Sequence, residues 1–400
     1  MDALESIYYV RCNRYLRFCG QWPHQETINR VINSTLMALL CSTVILPQFL
    51  KLYQLRNDFG MIILGLPSLL FYAQFAFKNI FCAMKTRKIR AVLDMVQRDF
   101  RTFEGEEIEV IREYSAKAYK INTLYTAYMY TAVAAYSTLP LTLHVADVLF
   151  PLAANQTRLQ GQPRLTTFLN EKLDNSNFFV IIHGMAVDMT AIVFIIGFDT
   201  LYFALAYHAC ALFNVVTCRI MRGTIDRGQP RAKRLDTARR EYKDVVYGNW
   251  VETILLHKYV LESVAIIESA FSALNLLSIA CAMLPLTLTG FQVIANKNQL
   301  GQMLRFLMFA LGEIVHLFYY NWPGQKITDH GWLVYKSCYA TEWYGEAVSD
   351  ECRKLMKLVI LRSQKPCHLT AGKLYILGLE NFAAIVKVSM SYFTVLSSLM

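Results

Sequence analysis

Apolar residues along this chain gather into seven runs, near 31–50, 61–82, 121–150, 178–215, 260–291, 301–320 and 380–399. An α-helix rises about 1.5 Å per residue, so about 20 apolar residues cross a bilayer core of roughly 30 Å. The pattern therefore predicts an all-α integral membrane protein with seven transmembrane helices. The fourth run is much longer than a bilayer is thick, so part of it is expected to project beyond the lipid. The polar segment after the second run keeps helical spacing, as in Val92, Met95 and Val96, and the one after the fourth run, 216–258, has helix formers among its charges. Between the sixth and seventh runs, Trp322, Trp332, Tyr335, Trp343, Tyr344 and Leu355 sit at spacings suited to a buried helix face. A packed intracellular layer of helices, with thin external loops, is the expected architecture. Residues 1–30 are amphipathic, with Tyr8, Tyr9, Tyr15, Leu16 and Phe18 among arginines, and read either as an interfacial helix or as a cytosolic tail.

Charge fixes the orientation of this threading. Of the forty Lys and Arg residues, four fall in 1–30, eight in 83–119, ten in 216–258 and eight in 321–378, all on one side. The opposite side holds six: Lys51, Arg56, Arg158, Arg164, Lys172 and Lys297. Basic loops stay in the cytosol, so the N-terminus is predicted inside and the C-terminus outside. No apolar h-region precedes the first span, so that span is expected to act as the insertion signal.

Composition supports the membrane reading: 55% of residues are hydrophobic and 18% charged, with a mean hydropathy of +0.30. The net charge of +10 is spread over four segments without a nucleic-acid-binding motif, so no nucleic-acid partner is expected. All ten cysteines map to cytosolic segments or spans, which leaves no external disulfide and favours packing roles. Of two glycosylation sequons, Asn155 lies in the largest predicted external loop and Asn33 at the cytosolic mouth of the first span. Only Asn155 is expected to carry a glycan.

The candidate chemistry lies inside the spans, where a charge is costly and faces protein or water. Asp147, Asp188, Asp199, Glu262, Glu268, Glu313 and His316 are candidates for an ion or proton relay, or for structural pairing. His183 has no ligand at metal-binding spacing, so no metal is expected. Lys387, near the middle of the last span, shares a helix face with Ser391 and Val395, and Leu399 flanks it. Such a face can line a conduit gated by its apolar end, or it can pack against another helix. No phosphate loop, nucleophile elbow or paired metal motif is evident, so neither catalysis nor a cofactor is expected. Aromatics and thioethers in the outer spans, including Phe71, Tyr72, Tyr136, Phe178, Phe179, Met185, Phe306 and Phe309, suit an apolar pocket for a small volatile or lipid-like molecule.

The C-terminal third carries Tyr319-Tyr320-Asn321-Trp322-Pro323-Gly324-Gln325, Arg362-Ser363-Gln364-Lys365-Pro366 and Thr370-Ala371-Gly372-Lys373. Glu380-Asn381-Phe382, Ile385-Val386-Lys387 and Ser391 to Leu396 complete the pattern, and Gln21-Trp22-Pro23-His24-Gln25 stands near the start. Together these resemble the insect odorant receptors, with a flavour common among ants, bees and wasps. The resemblance implies an odorant-gated, non-selective cation channel in the plasma membrane of olfactory sensory neurons. It implies a tetramer in which a tuning subunit like this one joins the odorant coreceptor, since the longer second intracellular loop of the coreceptor is missing here. By the same resemblance the last helix lines the pore and Val395 and Leu399 match its outer gate, which would make the face of Lys387 and Ser391 the pore lining. The ligand positions carried over by span are Ser68, Phe71, Tyr72, Tyr136, Leu139, His183, Phe306 and Phe309. Helices 1–6 and their extensions would fill 1–320, an anchor segment 321–378 and the pore-lining helix 379–400. A gustatory-type channel shares this topology and is the nearest alternative. A G-protein-coupled receptor is disfavoured by the charge count and by the missing Asp-Arg-Tyr and Asn-Pro-x-x-Tyr signatures.

Overall fold

The computed structural model describes residues 4, 6–54, 56–57, 59–149, 177–225, 236–295, 300–341, 343–344, 349–365 and 367–398. The chain runs α1 (Val10–Phe18), α2 (Thr27–Gln54), α3 (Phe59–Thr102), α4 (Gly105–Leu149), α5 (Asn177–Ile225), α6 (Asp236–Ala295) and α7 (Leu300–Ala340). It ends with α8 (Asp350–Ser363), the short strands β1 (Thr370–Ala371) and β2 (Tyr375–Ile376), and α9 (Leu379–Ser398). Within the described residues, each of the seven predicted spans falls in a different helix, α2 to α7 and α9. The expected glycan site Asn155 lies outside the described residues.

Among the described residues, three helices pass on length and apolar composition alone, within Thr27–Gln54, Ile182–Arg222 and Tyr247–Ile294. Within their apolar runs α3 carries Gln74, Lys78 and Asn79, and α7 carries Glu313 and His316. In α3 these polar side chains are buried inside the protein, so composition understates how apolar the outer surface of that helix is.

The fourth apolar run becomes the centre of the molecule. Every residue from Phe194 to Phe213 is buried, which is what a helix apolar on all sides requires. The other long helices surround it, α4, α6 and α7 most extensively. α1 forms where the amphipathic pattern places a helix, but its apolar face is turned onto α5. Tyr9, Leu16 and Trp22 are buried, and Cys12 Sγ lies 3.3 Å from Thr200 Oγ1. All ten cysteines are free thiols, eight of them buried, in keeping with packing roles.

Helix extensions form a second layer beyond the apolar runs. Asp99 of α3 is 2.8 Å from His208 Nε2 of α5 and accepts from the Tyr259 hydroxyl of α6 at 2.6 Å. Arg219 of α5 grips Glu107 of α4 with two bonds of 2.6 and 2.7 Å. This fork geometry holds the two helix ends in one orientation.

In the segment 321–378 the buried face differs from the expected aromatic one. Trp332 and Tyr344 are exposed, and Trp322, Tyr335, Trp343 and Leu355 are half-buried. α7 instead buries Ile327, Val334 and Cys338, and α8 buries Cys352 and Met356. Smaller residues let the helices approach closely, while the aromatics border the contact. α7 also runs unbroken past residue 320, so the expected division between spans and anchor falls within one helix.

His330 of α7 ties this layer to α4. Its Nδ1–H donates to the Lys326 carbonyl at 2.7 Å, so Nε2 is the acceptor for the Tyr114 hydroxyl at 2.8 Å. Burial, the leading cause, holds its pKa below the ordinary histidine value. Because the folded value is depressed, the unfolded chain binds more protons once pH falls below about 6.5. The stability that depends on a neutral His330 is complete above that pH and declines below it. Melting temperatures between pH 7 and pH 5 are expected to fall more steeply for the natural chain than for a His330→Gln variant.

The hairpin before α9 was not evident from periodicity, since its strands are two residues each. Thr370 pairs with Ile376 and Ala371 with Tyr375. Gly372 and Lys373 both take positive φ, +63° and +60°, and Leu374 N–H donates to the Ala371 carbonyl at 3.1 Å. That is the tight reverse turn favoured between antiparallel strands. At Gly372 a side chain is disfavoured twice, by the positive φ and by Leu276 Cδ2, which a Cβ would meet at 2.5 Å.

Candidate functional site

Two members of the predicted ligand set, Phe71 and Tyr72, stand side by side on α3, where Tyr72 also meets α5. Phe71 is half-buried and lies edge-on to Tyr72 with centroids 5.4 Å apart. Tyr72 is buried and donates its hydroxyl to Asp188 of α5. On α7, Phe306 is buried and Phe309 half-buried. His183 stands elsewhere: it is exposed, and its Nε2 lies 3.0 Å from Thr43 Oγ1 of α2. The side chains of Ser68, Tyr136 and Leu139 lie outside the described residues, as does that of Asp147.

Deeper in the bundle, four helices meet around one ion pair. Lys78 Nζ of α3 is 2.9 Å from Asp199 Oδ1 of α5, and both side chains are 0% exposed. Isolated, either charge would be prohibitively costly in such a place, so the rest of the site must complete their hydrogen bonding. Tyr320 of α7 donates to Asp199 Oδ1 and accepts from Lys78 at 3.0 Å. Tyr125 of α4 donates to Asp199 Oδ2 at 2.9 Å. That uses the only proton of the Tyr125 hydroxyl, so His316 Nδ1, 2.9 Å away, must donate to it. Nε2 of His316 is then bare and accepts from the Gln74 amide at 3.3 Å. The chain of donors thus assigns His316 as the neutral Nδ1–H tautomer. Stacking surrounds the pair: Tyr125 lies on Tyr319 with centroids 3.6 Å apart, and Tyr202 on Tyr320 at 5.7 Å.

Of the intramembrane charges singled out in the sequence, Asp199 and His316 meet here, and Asp188 meets Tyr72. Glu262 is a surface residue 3.8 Å from Lys258, and Glu268 belongs to the hairpin contact. Lys78, a lone cation within the apolar run of α3, is not among the residues that the sequence singles out. Its signal was a single cation among Phe75, Phe77 and Ile80, with a lone acid in another span as the possible partner.

The last helix is held at its root by α7. Helix N-termini leave N–H groups without intrahelical partners. Here Asn321 Oδ1 accepts from Gly378 N–H at 3.2 Å and from the Tyr375 hydroxyl at 3.0 Å, and Gln325 Oε1 accepts from Leu379 N–H at 3.1 Å. Two side chains one turn apart on α7 therefore cap α9 from outside. Gly324, between them, lets the Leu377 backbone come close enough for this. Glu268 of α6 fixes the hairpin by accepting from Thr370 N–H at 2.7 Å and from its hydroxyl. Along α9, Ile385 and Ser389 are buried, while Lys387 and Ser391 share an exposed face. Ser391 Oγ donates to the Lys387 carbonyl at 3.0 Å. The side chain of Val395 and the whole of Leu399 lie outside the described residues.

Known proteins resemble this chain in sequence and in fold. A family model described as 7tm Odorant receptor matches residues 58–390. Odorant receptor Or2 of Anopheles gambiae is 21% identical over 359 residues, 87% of each chain. Odorant receptor 13a of Drosophila melanogaster is 25% identical over 152 residues, 36% of each chain. The odorant receptor coreceptor of Drosophila melanogaster is 27% identical over 153 residues, 38% of this chain and 30% of that one. The chain thus spans about a third of the last two relatives and most of the first. The solved structure of the insect olfactory receptor OR5 from Machilis hrabei in complex with eugenol superposes with a TM-score of 0.77. That match covers 98% of this chain and 97% of the other at 14% identity, so the two share a fold. With the family match spanning most of its length, the chain belongs to the 7tm odorant receptor family.

Proposed function

We propose that this chain is a tuning subunit of an odorant-gated, non-selective cation channel, assembled with the odorant coreceptor in a heterotetramer. It sits in the plasma membrane of olfactory sensory neurons, is glycosylated at Asn155 and acts without catalysis or cofactor. A small, volatile, apolar molecule binds among the outer ends of α3, α4, α5 and α7, against Phe71, Tyr72, Tyr136, Leu139, Phe306 and Phe309. Ser68 and His183 belong to the same outer level. Cations pass along the last helix, past Lys387 and Ser391, and Val395 and Leu399 close its outer end.

What carries this reading is the continuity of α7, one helix of 41 residues. Its outer part bears Phe306 and Phe309, and its inner part bears Asn321 and Gln325, which cap α9. A ligand that tilts α7 therefore acts on the root of the last helix. It need only bind the open arrangement better than the closed one.

The test is a current recording from cells expressing this chain with the coreceptor, against an odorant panel. Val395→Ala is expected to raise basal current or to change odorant-evoked current, since a narrow apolar ring conducts once it is widened and wetted. Unchanged basal and evoked currents in a variant present at the cell surface count against this gate. Responses that depend on second messengers and not on the coreceptor would instead favour the G-protein reading.

A further inference from the structure

One side of α6 carries Glu268, Ser272, Asn275 and Ser278, a polar stripe on a helix otherwise buried through apolar residues. The lower half of the stripe is engaged by the hairpin. Glu268 holds Thr370, the Ser272 carbonyl accepts from Gly372 N–H at 2.8 Å, and the Ser272 hydroxyl is 3.1 Å from that of Thr370. The upper half is different. Asn275 and Ser278 are 1% exposed and Tyr202 of α5, which faces them, is 0% exposed. Yet Asn275 Nδ2, Asn275 Oδ1, Ser278 Oγ and the Tyr202 hydroxyl have no protein partner in hydrogen-bonding geometry. The Tyr202 hydroxyl is close enough to Asn275, and that of Tyr320 to Ser278, for each to feel the other. The groups converge to near-bonding range, short of the geometry of a direct hydrogen bond.

Leaving four such atoms unsatisfied inside a bundle would cost each its full desolvation penalty, which native proteins avoid. A buried water typically makes about three hydrogen bonds and needs two to four polar partners, which these side chains supply. We propose that Tyr202, Asn275 and Ser278 form a structural water site, holding one or two ordered waters between α5 and α6. The waters would join the Lys78–Asp199–Tyr320 centre, through Tyr320 and Ser278, to the Glu268 contact that fixes the hairpin. A continuous polar line then runs from Gln74 on α3 to the segment that carries α9. Phe271, with its centroid 5.4 Å from Tyr202, and the Tyr320 ring wall the site with apolar surface.

An experimental density map of the purified full-length receptor, resolved finely enough to place ordered waters, tests this without odorant or current. Density within hydrogen-bonding distance of both Asn275 amide atoms and of the Tyr202 hydroxyl is the expected result. Direct bonding among the side chains with no density between them overturns the site. Thermal unfolding gives a second measure. Asn275→Leu keeps the side-chain size but strands the waters, so its melting temperature is expected to fall by about 2 °C or more. Tyr202→Phe removes one anchor with little change of shape and is expected to show a smaller fall. If both variants melt at or above the natural temperature, the atoms were dry orphans and the proposal fails.

Discussion

Replacing Lys78 with methionine is expected to destabilise the receptor by about 3–5 kcal/mol, the cost of stranding a buried partner charge. The Lys78 and Asp199 side chains are both fully buried, and no solvent is available to screen the carboxylate left behind. Tyr320 and Tyr125 would still donate to Asp199, but two neutral hydroxyls do not replace an ammonium. Asp199→Leu is expected to do comparable harm from the other side, leaving Lys78 with the Tyr320 oxygen as its acceptor. The double variant Lys78→Met/Asp199→Leu should recover much of the loss, because no unpaired charge remains. Unfolding of purified protein, with the amount reaching the cell surface as a second readout, completes the cycle. Single variants within about 1 kcal/mol of the natural chain would show that the pair is not a buried, mutually dependent one.

How much of this was readable in advance depended on whether a feature was local. The spans were legible because twenty apolar residues leave a pattern in any window, and the length of the fourth run showed that it outruns the bilayer, but its central place among the other helices is a matter of packing. The capping of α9 was half legible: Asn321, Gly324 and Gln325 stood out as a group, but capping joins residues more than fifty positions apart. The Lys78 centre was less legible still. Asp199 and His316 could be flagged singly, yet their meeting is set by the packing of four helices, which no window of sequence contains. The hairpin hid behind strands too short for alternation, leaving only the Ala371-Gly372-Lys373 turn as a sign. His183, carried over by span position, faces α2 because a one-residue step turns a helix face by about 100°. Span membership therefore places a residue at a depth and leaves its direction open.

Gly324→Ala is the second large expectation, and it probes the joint between α7 and the last helix. Alanine favours helix over glycine, so by propensity alone the change should stabilise α7 by up to about 1 kcal/mol. Space reverses the sign. A Cβ at this position would stand 2.5 Å from both Leu377 Cβ and Leu377 O, and 2.9 Å from Leu377 C. These include backbone atoms of the residue next to Gly378, so relief requires the end of the hairpin and the root of α9 to move away. The capping bonds of 3.2 Å from Gly378 to Asn321 and 3.1 Å from Leu379 to Gln325 would lengthen with it. Overpacking of this kind costs about 1–3 kcal/mol. If that cost falls unequally on the closed and open arrangements, it shifts their balance by roughly 5–150-fold. Odorant-evoked current at matched surface expression is therefore expected to change at least severalfold in Gly324→Ala. Gly331→Ala, two turns further along α7, is the control, since its Cβ would meet Cys367 Cβ at an ordinary 3.6 Å. Both substitutions add the same methyl group to the same helix. A Gly324→Ala receptor that conducts like Gly331→Ala would mean that the grip of α7 on α9 plays no part in gating.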